Sequence, residues 1–121
     1  MKAKDYKDLN VWKKGIEIVD IIYDLTERFP RTELFGLALQ MRKAAVSIPS
    51  NIAEGFGKQY KKEYSRFLRI ALGSCAELDT QVVISRRRAY ITEDEFKQVE
   101  DMINHESRML MNLLKRVEEG H

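Results

Sequence analysis

The sequence has few of the residues that interrupt helices or cross-link small domains. It contains two prolines, six glycines and a single cysteine among 121 residues. One cysteine excludes an intrachain disulfide, and the apolar stretch around Cys75 favours a small buried side chain over a nucleophile. No run approaches the roughly 18 apolar residues that a membrane span needs, and the first residues contain no apolar core of a signal peptide. We therefore expect a cytoplasmic protein with no membrane partner.

Patterns that carry catalysis or hold metals are also missing from the sequence. It has no glycine-rich phosphate loop, no pair of cysteines or histidines at ligand spacing, and no nucleophile motif. His105 precedes Glu106, but no second histidine follows four residues later, as it does in a zinc-binding helix. We therefore expect a protein that is not an enzyme, with no catalytic residues, no metal and no cofactor.

What the sequence does contain is helical periodicity in four segments. Hydrophobic residues make up 44% and charged residues 33%, which is the composition of a folded chain rather than a disordered one. Apolar residues recur at spacings of three and four, and predict helices over about 10–29, 33–54, 60–89 and 93–118. Short connections make consecutive helices antiparallel neighbours. We expect one all-α domain spanning residues 1–121, an antiparallel up-down-up-down four-helix bundle.

Local signals predict where these helices begin and end. Pro30 ends the first, because the residue before a proline is pushed out of helical geometry. Thr32 is a start signal for the second helix, and Gly55 is a natural C-cap for it. Thr92 and Glu95 have the spacing of a capping box at the start of the fourth.

The second helix is apolar around most of its circumference, so we expect it to be the most buried. Pro49 lies inside it and lacks the N–H that a helix interior requires. Because helix-forming residues continue beyond it, we predict a helix kinked at Pro49. The hydroxyls of Ser47 or Ser50 would satisfy the freed backbone groups.

Charge is distributed unevenly, although the net charge is only +2. Between residues 58 and 88, eight basic residues stand against three acidic ones, whereas from residue 91 onward eight acidic residues stand against four basic ones. The basic residues of the first segment are Lys58, Lys61, Lys62, Arg66, Arg69, Arg86, Arg87 and Arg88. Cations on one helix face can follow a phosphate backbone, and the neighbouring Tyr60 can stack on a base. The alternative is an ordinary solvated face on which Glu63 pairs with Lys58 or Lys62.

Three of these cations, Arg86, Arg87 and Arg88, lie near the end of the third helix, where positive charge interacts favourably with the helix dipole. Consecutive residues fan around a helix, so some of these side chains should reach outward. Their partner is either a phosphate or a carboxylate, and the acidic fourth helix is one candidate.

Several motifs along the chain occur together in one family. They are Asp8-Leu9-Asn10-Val11-Trp12, Phe35-Gly36-Leu37, Gln40-Met41-Arg42-Lys43-Ala44, Ser47-Ile48-Pro49-Ser50-Asn51-Ile52-Ala53-Glu54-Gly55, and the scattered Tyr64, Phe67-Leu68, Ala71, Gly73-Ser74 and Glu77-Leu78. From about residue 6 to residue 118, the chain resembles the bacterial four-helix bundle proteins encoded within intervening sequences of 23S ribosomal RNA genes. The run that begins at Ser47 is the most specific motif.

The resemblance implies a four-helix bundle that assembles into a barrel-shaped homopentamer. It also implies kinship with the accessory variability proteins of diversity-generating retroelements, which are basic pentamers that bind nucleic acid and a reverse transcriptase. It supplies no catalytic residues. The three consecutive arginines depart from the more apolar end of helix three that is usual in the family, which favours an anionic partner. The small net charge argues against one.

The motif residues with a candidate role in structure or at an interface are Gln40, Arg42, Ser47, Pro49, Ser50, Asn51, Glu54 and Gly55. In a structural interpretation, the polar members satisfy the backbone around the proline and bond to neighbouring helices, because buried polar groups must be paired. Gln40 and Arg42 are then possible partners. In a functional interpretation, the same residues form a surface that docks RNA or a neighbouring subunit.

The sequence thus favours a non-enzymatic, oligomeric nucleic-acid-binding protein, with RNA as the expected partner. The alternative is a scaffold whose oligomer recruits another protein and has no nucleic-acid role. Broad apolar faces on the first two helices and the nearly balanced total charge favour that alternative.

Overall fold

The computed structural model describes residues 3–120, in which four long α-helices and no strands occur. The helices are α1 (Asn10–Thr26), α2 (Leu37–Phe56), α3 (Lys61–Arg87) and α4 (Glu93–Glu118), with 3₁₀ turns at Tyr6–Asp8 and Arg31–Glu33. Each packs against the next along the chain, and a smaller seam between α1 and α4 closes the ring. The predicted all-α four-helix bundle is confirmed. None of the described helices is both long enough and apolar enough to cross a membrane.

Each helix buries its periodic apolar positions in a common core. The largest fully buried apolar side chains are Ile18 and Ile22 of α1, Met41, Ile48 and Ile52 of α2, Leu68, Leu78 and Val82 of α3, and Val99, Ile103 and Leu110 of α4. Cys75 joins them with 1% of its surface exposed, so the predicted buried cysteine is confirmed. Burial raises the pKa of its thiol to about 12, so the thiol stays protonated at neutral pH.

The second helix begins later than its sequence signals predicted. Residues 31–33 form a 3₁₀ turn, and α2 starts only at Leu37. The carboxylate of Glu33 accepts a hydrogen bond from the Leu37 amide at 3.0 Å, and so takes the capping role that we predicted for Thr32. The predicted start at Thr32 is therefore wrong.

Two other helices end earlier than predicted. α1 ends at Thr26 rather than near residue 29, because the amides of Arg28 and Phe29 bond to carbonyls three residues back and tighten the chain before the proline. α3 ends at Arg87 rather than near residue 89.

Ala89 closes α3 in the left-handed conformation, with a φ of 62°. The Tyr90 amide donates to the Ser85 carbonyl and the Ala89 amide to the Arg86 carbonyl, both at 2.9 Å, which is the Schellman pattern that favours glycine. Because glycine relieves the strain of Cβ, we expect Ala89→Gly to raise the free energy of unfolding by about 1 kcal/mol in urea denaturation. Ala76→Gly, at a solvent-exposed position in the middle of α3, is the control, and it should lower the free energy of unfolding by about 1 kcal/mol. Equal losses in both variants would contradict the cap.

The second helix remains helical through Pro49 and ends at Phe56, with Gly57 as its C-cap. The kink at Pro49 stays a prediction. The C-cap role predicted for Gly55 is wrong, because this residue is buried inside the helix and faces α3. A Cβ at Gly55 would lie 2.7 Å from the Cβ of Phe67, so its function is to let α2 and α3 approach closely.

The capping box predicted at the start of α4 is confirmed. The Glu95 amide donates to the Thr92 hydroxyl at 3.1 Å, and the Thr92 amide donates to the Glu95 carboxylate at 2.9 Å. Arg28, just beyond α1, bonds to the same carboxylate. The backbone hydrogen bond from Thr92, and then Arg28, lower the pKa of Glu95, so this cap stays ionised and ties the end of α1 to α4.

Candidate nucleic-acid interface

The eight basic residues predicted to contact nucleic acid lie at opposite ends of the bundle. We refer to Lys58, Lys61, Lys62, Arg66 and Arg69 as the lysine end, and to Arg86, Arg87 and Arg88 as the arginine end. All eight side chains are exposed. At 1.5 Å per residue, Lys62 and Arg87 are about 38 Å apart along α3. The two groups therefore form separate surfaces rather than one patch.

The three lysines of the lysine end surround the first turn of α3. Lys61 and Lys62 are the first two residues of the helix, and Lys58 lies in the connection before it. Tyr60 occupies the N-cap position, and no side chain caps the free amides there. The positive end of the helix dipole therefore adds to the lysine charges, and the free amides are additional donors for an anion.

An aromatic ring and an acidic neighbour position the cations of the lysine end. The Lys58 ammonium lies 5.3 Å and the Arg66 guanidinium 4.5 Å from the centre of the Phe67 ring. Arg66 also bonds to Glu63 at 3.2 Å, and this bond lowers the pKa of the Glu63 carboxyl. Glu63 thus pairs with Arg66 rather than with Lys58 or Lys62, the pairing that we had considered. No carboxylate of the described residues lies within ion-pair distance of the three lysines.

The last turn of α4 lies beside the lysine end, because α3 and α4 run antiparallel. Arg69 bonds to the carboxylate of Glu118. The groove between the helices is lined by Lys61, Lys62, Glu63, Ser65, Arg66, Arg69 and Glu118, and Lys115 lines the groove that adjoins it. Lys115 is not among the residues predicted to contact nucleic acid, although an antiparallel neighbour must place the end of α4 opposite the start of α3. Basic side chains outnumber acidic ones along this groove.

Tyr60 offers a flat aromatic surface at the same place. Its side chain is 67% exposed, between Lys58 in the preceding connection and Lys61 at the start of α3. An exposed ring among cations is the combination by which proteins bind single strands, since the ring stacks on a base while the cations contact phosphates.

The arginine end faces carboxylates of its own chain. Arg86 bonds to Glu93 at 2.8 Å and lies 4.7 Å from the centre of the Phe96 ring, so the acidic fourth helix, one of the partners considered, is the partner of Arg86 within the chain. α4 begins with three consecutive carboxylates, at residues 93–95. Any phosphate that approached this end would meet that negative charge.

Part of the proline motif forms a polar connection between α2 and α3. The hydroxyls of Ser47 and Ser74 are 2.7 Å apart. The side-chain amide (Nδ2) of Asn51 donates to the Ser47 hydroxyl at 2.9 Å and to the backbone carbonyl of Ser47 at 2.8 Å. These bonds give Ser47 and Asn51 the structural role that we considered for the motif.

Arg42 connects α2 to α1 and does not reach the proline. Its Nε donates to the Thr26 hydroxyl at 2.8 Å, and its guanidinium lies 4.8 Å from the centre of the Tyr23 ring. Gln40 is exposed on the same helix. The expectation that Arg42 bonds to the residues around Pro49 is therefore wrong.

The remaining polar residues of the motif, Ser50 and Glu54, lie on the exposed side of α2. Their neighbourhood includes apolar side chains in solvent, because Val46 of α2 and Ile70 of α3 are each 39% exposed. Gly73 of α3 is also exposed, and nothing lies within 4 Å of the position that a Cβ would take there. We refer to Val46, Ser50, Ile70 and Gly73 as the α2–α3 outer face.

Comparison with known proteins places these features in a family context. A family model described as 23S rRNA-intervening sequence protein matches residues 7–112. The chain is also similar to the crystal structure of a protein of unknown function from the S23 ribosomal protein family of Bacteroides thetaiotaomicron. The TM-score is 0.81 at 23% sequence identity, over 87% of this chain and 98% of the other, and this likeness concerns the fold alone. No curated protein matches the chain.

Proposed function

Because the chain belongs to the 23S rRNA-intervening sequence protein family, we propose that it is a non-enzymatic, oligomeric protein of the bacterial cytoplasm that binds nucleic acid, with RNA as its partner. The lysine end is the observation that carries this proposal. Three exposed lysines surround an uncapped helix N-terminus next to an exposed tyrosine. Such a surface attracts phosphates by charge and bases by stacking.

The lysine end fits a phosphate backbone better than the arginine end does. Two carboxylates beside it, Glu63 and Glu118, are each bonded to an arginine, so their charge is locally compensated. At the arginine end, one of three arginines is paired and three carboxylates start the adjacent helix. The electrostatic attraction for a phosphate is therefore stronger at the lysine end than at the arginine end.

Assembly would multiply this surface. In the homopentamer that we propose from the family resemblance, symmetry repeats the lysine end in every subunit. The repeated lysine ends then form a ring of basic sites, although the net charge per chain is only +2. Light scattering at micromolar concentration tests the assembly, and a particle of 14.2 kDa, the mass of one chain, would contradict it.

Filter binding with a labelled single-stranded RNA tests the nucleic-acid proposal. We expect a dissociation constant below about 10⁻⁴ M at low salt, because three lysines and a helix N-terminus converge on one site. The logarithm of the association constant should fall with the logarithm of salt concentration with a slope of about −2, for three phosphate contacts to a single strand. A structured RNA and a DNA strand of the same sequence are the comparisons. Weaker binding at low salt, or no salt dependence, would contradict the proposal.

The second candidate is a scaffold that recruits another protein through the α2–α3 outer face. The exposed Val46 and Ile70 and the open position at Gly73 favour it, because apolar side chains beside a glycine let another helix approach closely. A pull-down from nuclease-treated lysate discriminates between the two. A partner that survives nuclease and is lost in Gly73→Arg supports the scaffold, and loss of all partners on nuclease treatment contradicts it.

A further inference from the structure

Among residues 3–120, Glu106 of α4 is the only buried residue of a charged type, with 0% of its surface exposed. Neither of its carboxyl oxygens has a hydrogen-bond partner on the described protein atoms. An ionised carboxylate in such a place has lost its hydration without receiving a donor, which is strongly unfavourable. The neutral acid is far easier to accommodate.

The surroundings of Glu106 explain why it finds no donor. α1 approaches it at Gly15, where a Cβ would lie 3.3 Å from the Oε2 atom of Glu106 and 3.3 Å from the Cβ of Pro49. Gly15 has no side chain, and Pro49 of α2 has no N–H. α1 and α2 thus approach the carboxyl through residues that offer it no side-chain donor.

Among the described residues, the charged groups that act on Glu106 are Lys14 and Glu17. α1 contributes Lys14 and Glu17, which form an ion pair at 3.6 Å, and the Lys14 side chain is 24% exposed. α3 contributes Cys75, a protonated thiol, and α2 faces the site with Pro49. Burial raises the pKa of Glu106 to about 8, while Lys14 lowers it and Glu17 raises it by smaller amounts.

We propose that Glu106, Gly15 and Pro49 form a pH-sensitive latch, in which the neutral acid keeps the seam between α1 and α4 closed and its ionisation opens that seam towards Lys14. The α1–α4 seam is the least extensive of the four that form the bundle, so it is the contact that gives way first. Opening lets water and the Lys14 ammonium reach the carboxylate. This device is independent of the proposed binding of nucleic acid.

The sign of the pH dependence follows from the two states. A carboxyl whose pKa is higher in the folded chain than its ordinary value of 4.5 stabilises the fold at low pH, and this contribution is lost as pH rises towards about 8. Between pH 4.5 and pH 8 the unfolding equilibrium constant should rise about tenfold per pH unit. At pH 7 it should be about 300-fold higher than below pH 4.5. The carboxyls of Glu33, Glu63 and Glu95 have lowered pKa values, so they act below this window.

Urea denaturation at pH 5, 6, 7 and 8 tests the latch. We expect the native chain to lose stability steadily across this range, and Glu106→Gln, which is isosteric and cannot ionise, to lose much less stability and to be more stable than the native chain at pH 8. Glu77→Gln, at an exposed position of α3, is the matched control and should follow the native profile. Parallel profiles for the native chain and Glu106→Gln would overturn the proposal.

A second measurement holds even if that variant fails to fold. Carbon-13 NMR of the native protein reports the titration of the Glu106 carboxyl directly. A midpoint near pH 8, shifted upward in Lys14→Met, supports the proposal, and a midpoint near 4.5 overturns it. Amide hydrogen exchange in α1 and α4, corrected for the intrinsic effect of pH, should then accelerate above the midpoint. Unchanged protection of both helices would rule out the opening step.

Discussion

Replacing Gly55 with alanine is expected to lower the free energy of unfolding by about 2 kcal/mol, whereas the same change at Gly73 should raise it by about 1 kcal/mol. Both glycines lie inside helices, so alanine brings the same gain in helix propensity, about 1 kcal/mol. Their surroundings decide the sign. At Gly55 the new methyl would lie 2.7 Å from the Phe67 Cβ and 3.3 Å from the Tyr64 carbonyl, so α2 and α3 must separate. At Gly73 nothing lies within 4 Å.

Thermal denaturation followed by circular dichroism measures both effects. For a chain of this size we expect Tm to fall by about 8 °C for Gly55→Ala and to rise by about 4 °C for Gly73→Ala. An unchanged Tm for Gly55→Ala would contradict the close approach of α2 and α3. A lower Tm for Gly73→Ala would mean that the α2–α3 outer face is covered in solution, which is the result expected if a neighbouring subunit packs there.

Sequence signals predicted those features of the fold whose determinants lie within a few residues of one another. The capping box of Thr92 and Glu95 is complete within one turn, so the start of α4 was predicted correctly. The start of α2 was not predicted correctly, because it depends on the carboxylate of Glu33. The hydroxyl of Tyr90, which lies beyond the end of α3, donates to that carboxylate at a distance of 2.9 Å. A local rule could not foresee that a residue 57 positions away would help select Glu33 over Thr32.

In the candidate site, too, local features could be predicted from the sequence and contacts between distant residues could not. Exposure of the basic residues followed from composition and periodicity, but their pairing did not. Arg69 of α3 bonds to Glu118 of α4, and Arg86 is not available as an unpaired cation because it bonds to Glu93.

Glu106 did leave a signal in the sequence, since it occupies the helical spacing of the buried Val99, Ile103 and Leu110. A charged residue at a core position is the pattern that predicts a perturbed carboxyl.

Neutralising the three lysines of the lysine end should weaken binding to single-stranded RNA far more than neutralising the arginine end. We compare a triple variant with glutamine at Lys58, Lys61 and Lys62 against one with glutamine at residues 86–88. Each removes three positive charges, so the net charge of the two variants is the same. Three lost phosphate contacts reduce the salt slope by about 2, which corresponds to an affinity about 100-fold lower at 0.1 M salt. For the arginine-end variant we expect less than a threefold loss, because Arg86 is paired with Glu93 and three carboxylates begin the adjacent α4.

Filter binding at four salt concentrations distinguishes a located site from a general effect of charge. Equal losses in the two variants would mean that the RNA responds only to net charge, and the lysine end would not be the site. No loss in either would contradict binding through α3 altogether. Circular dichroism controls for folding, and little change is expected, because the replaced residues are exposed and surface ion pairs such as Arg86–Glu93 contribute little to stability. A selective loss at the lysine end would therefore reflect the contacts made there, since fold and net charge are held constant.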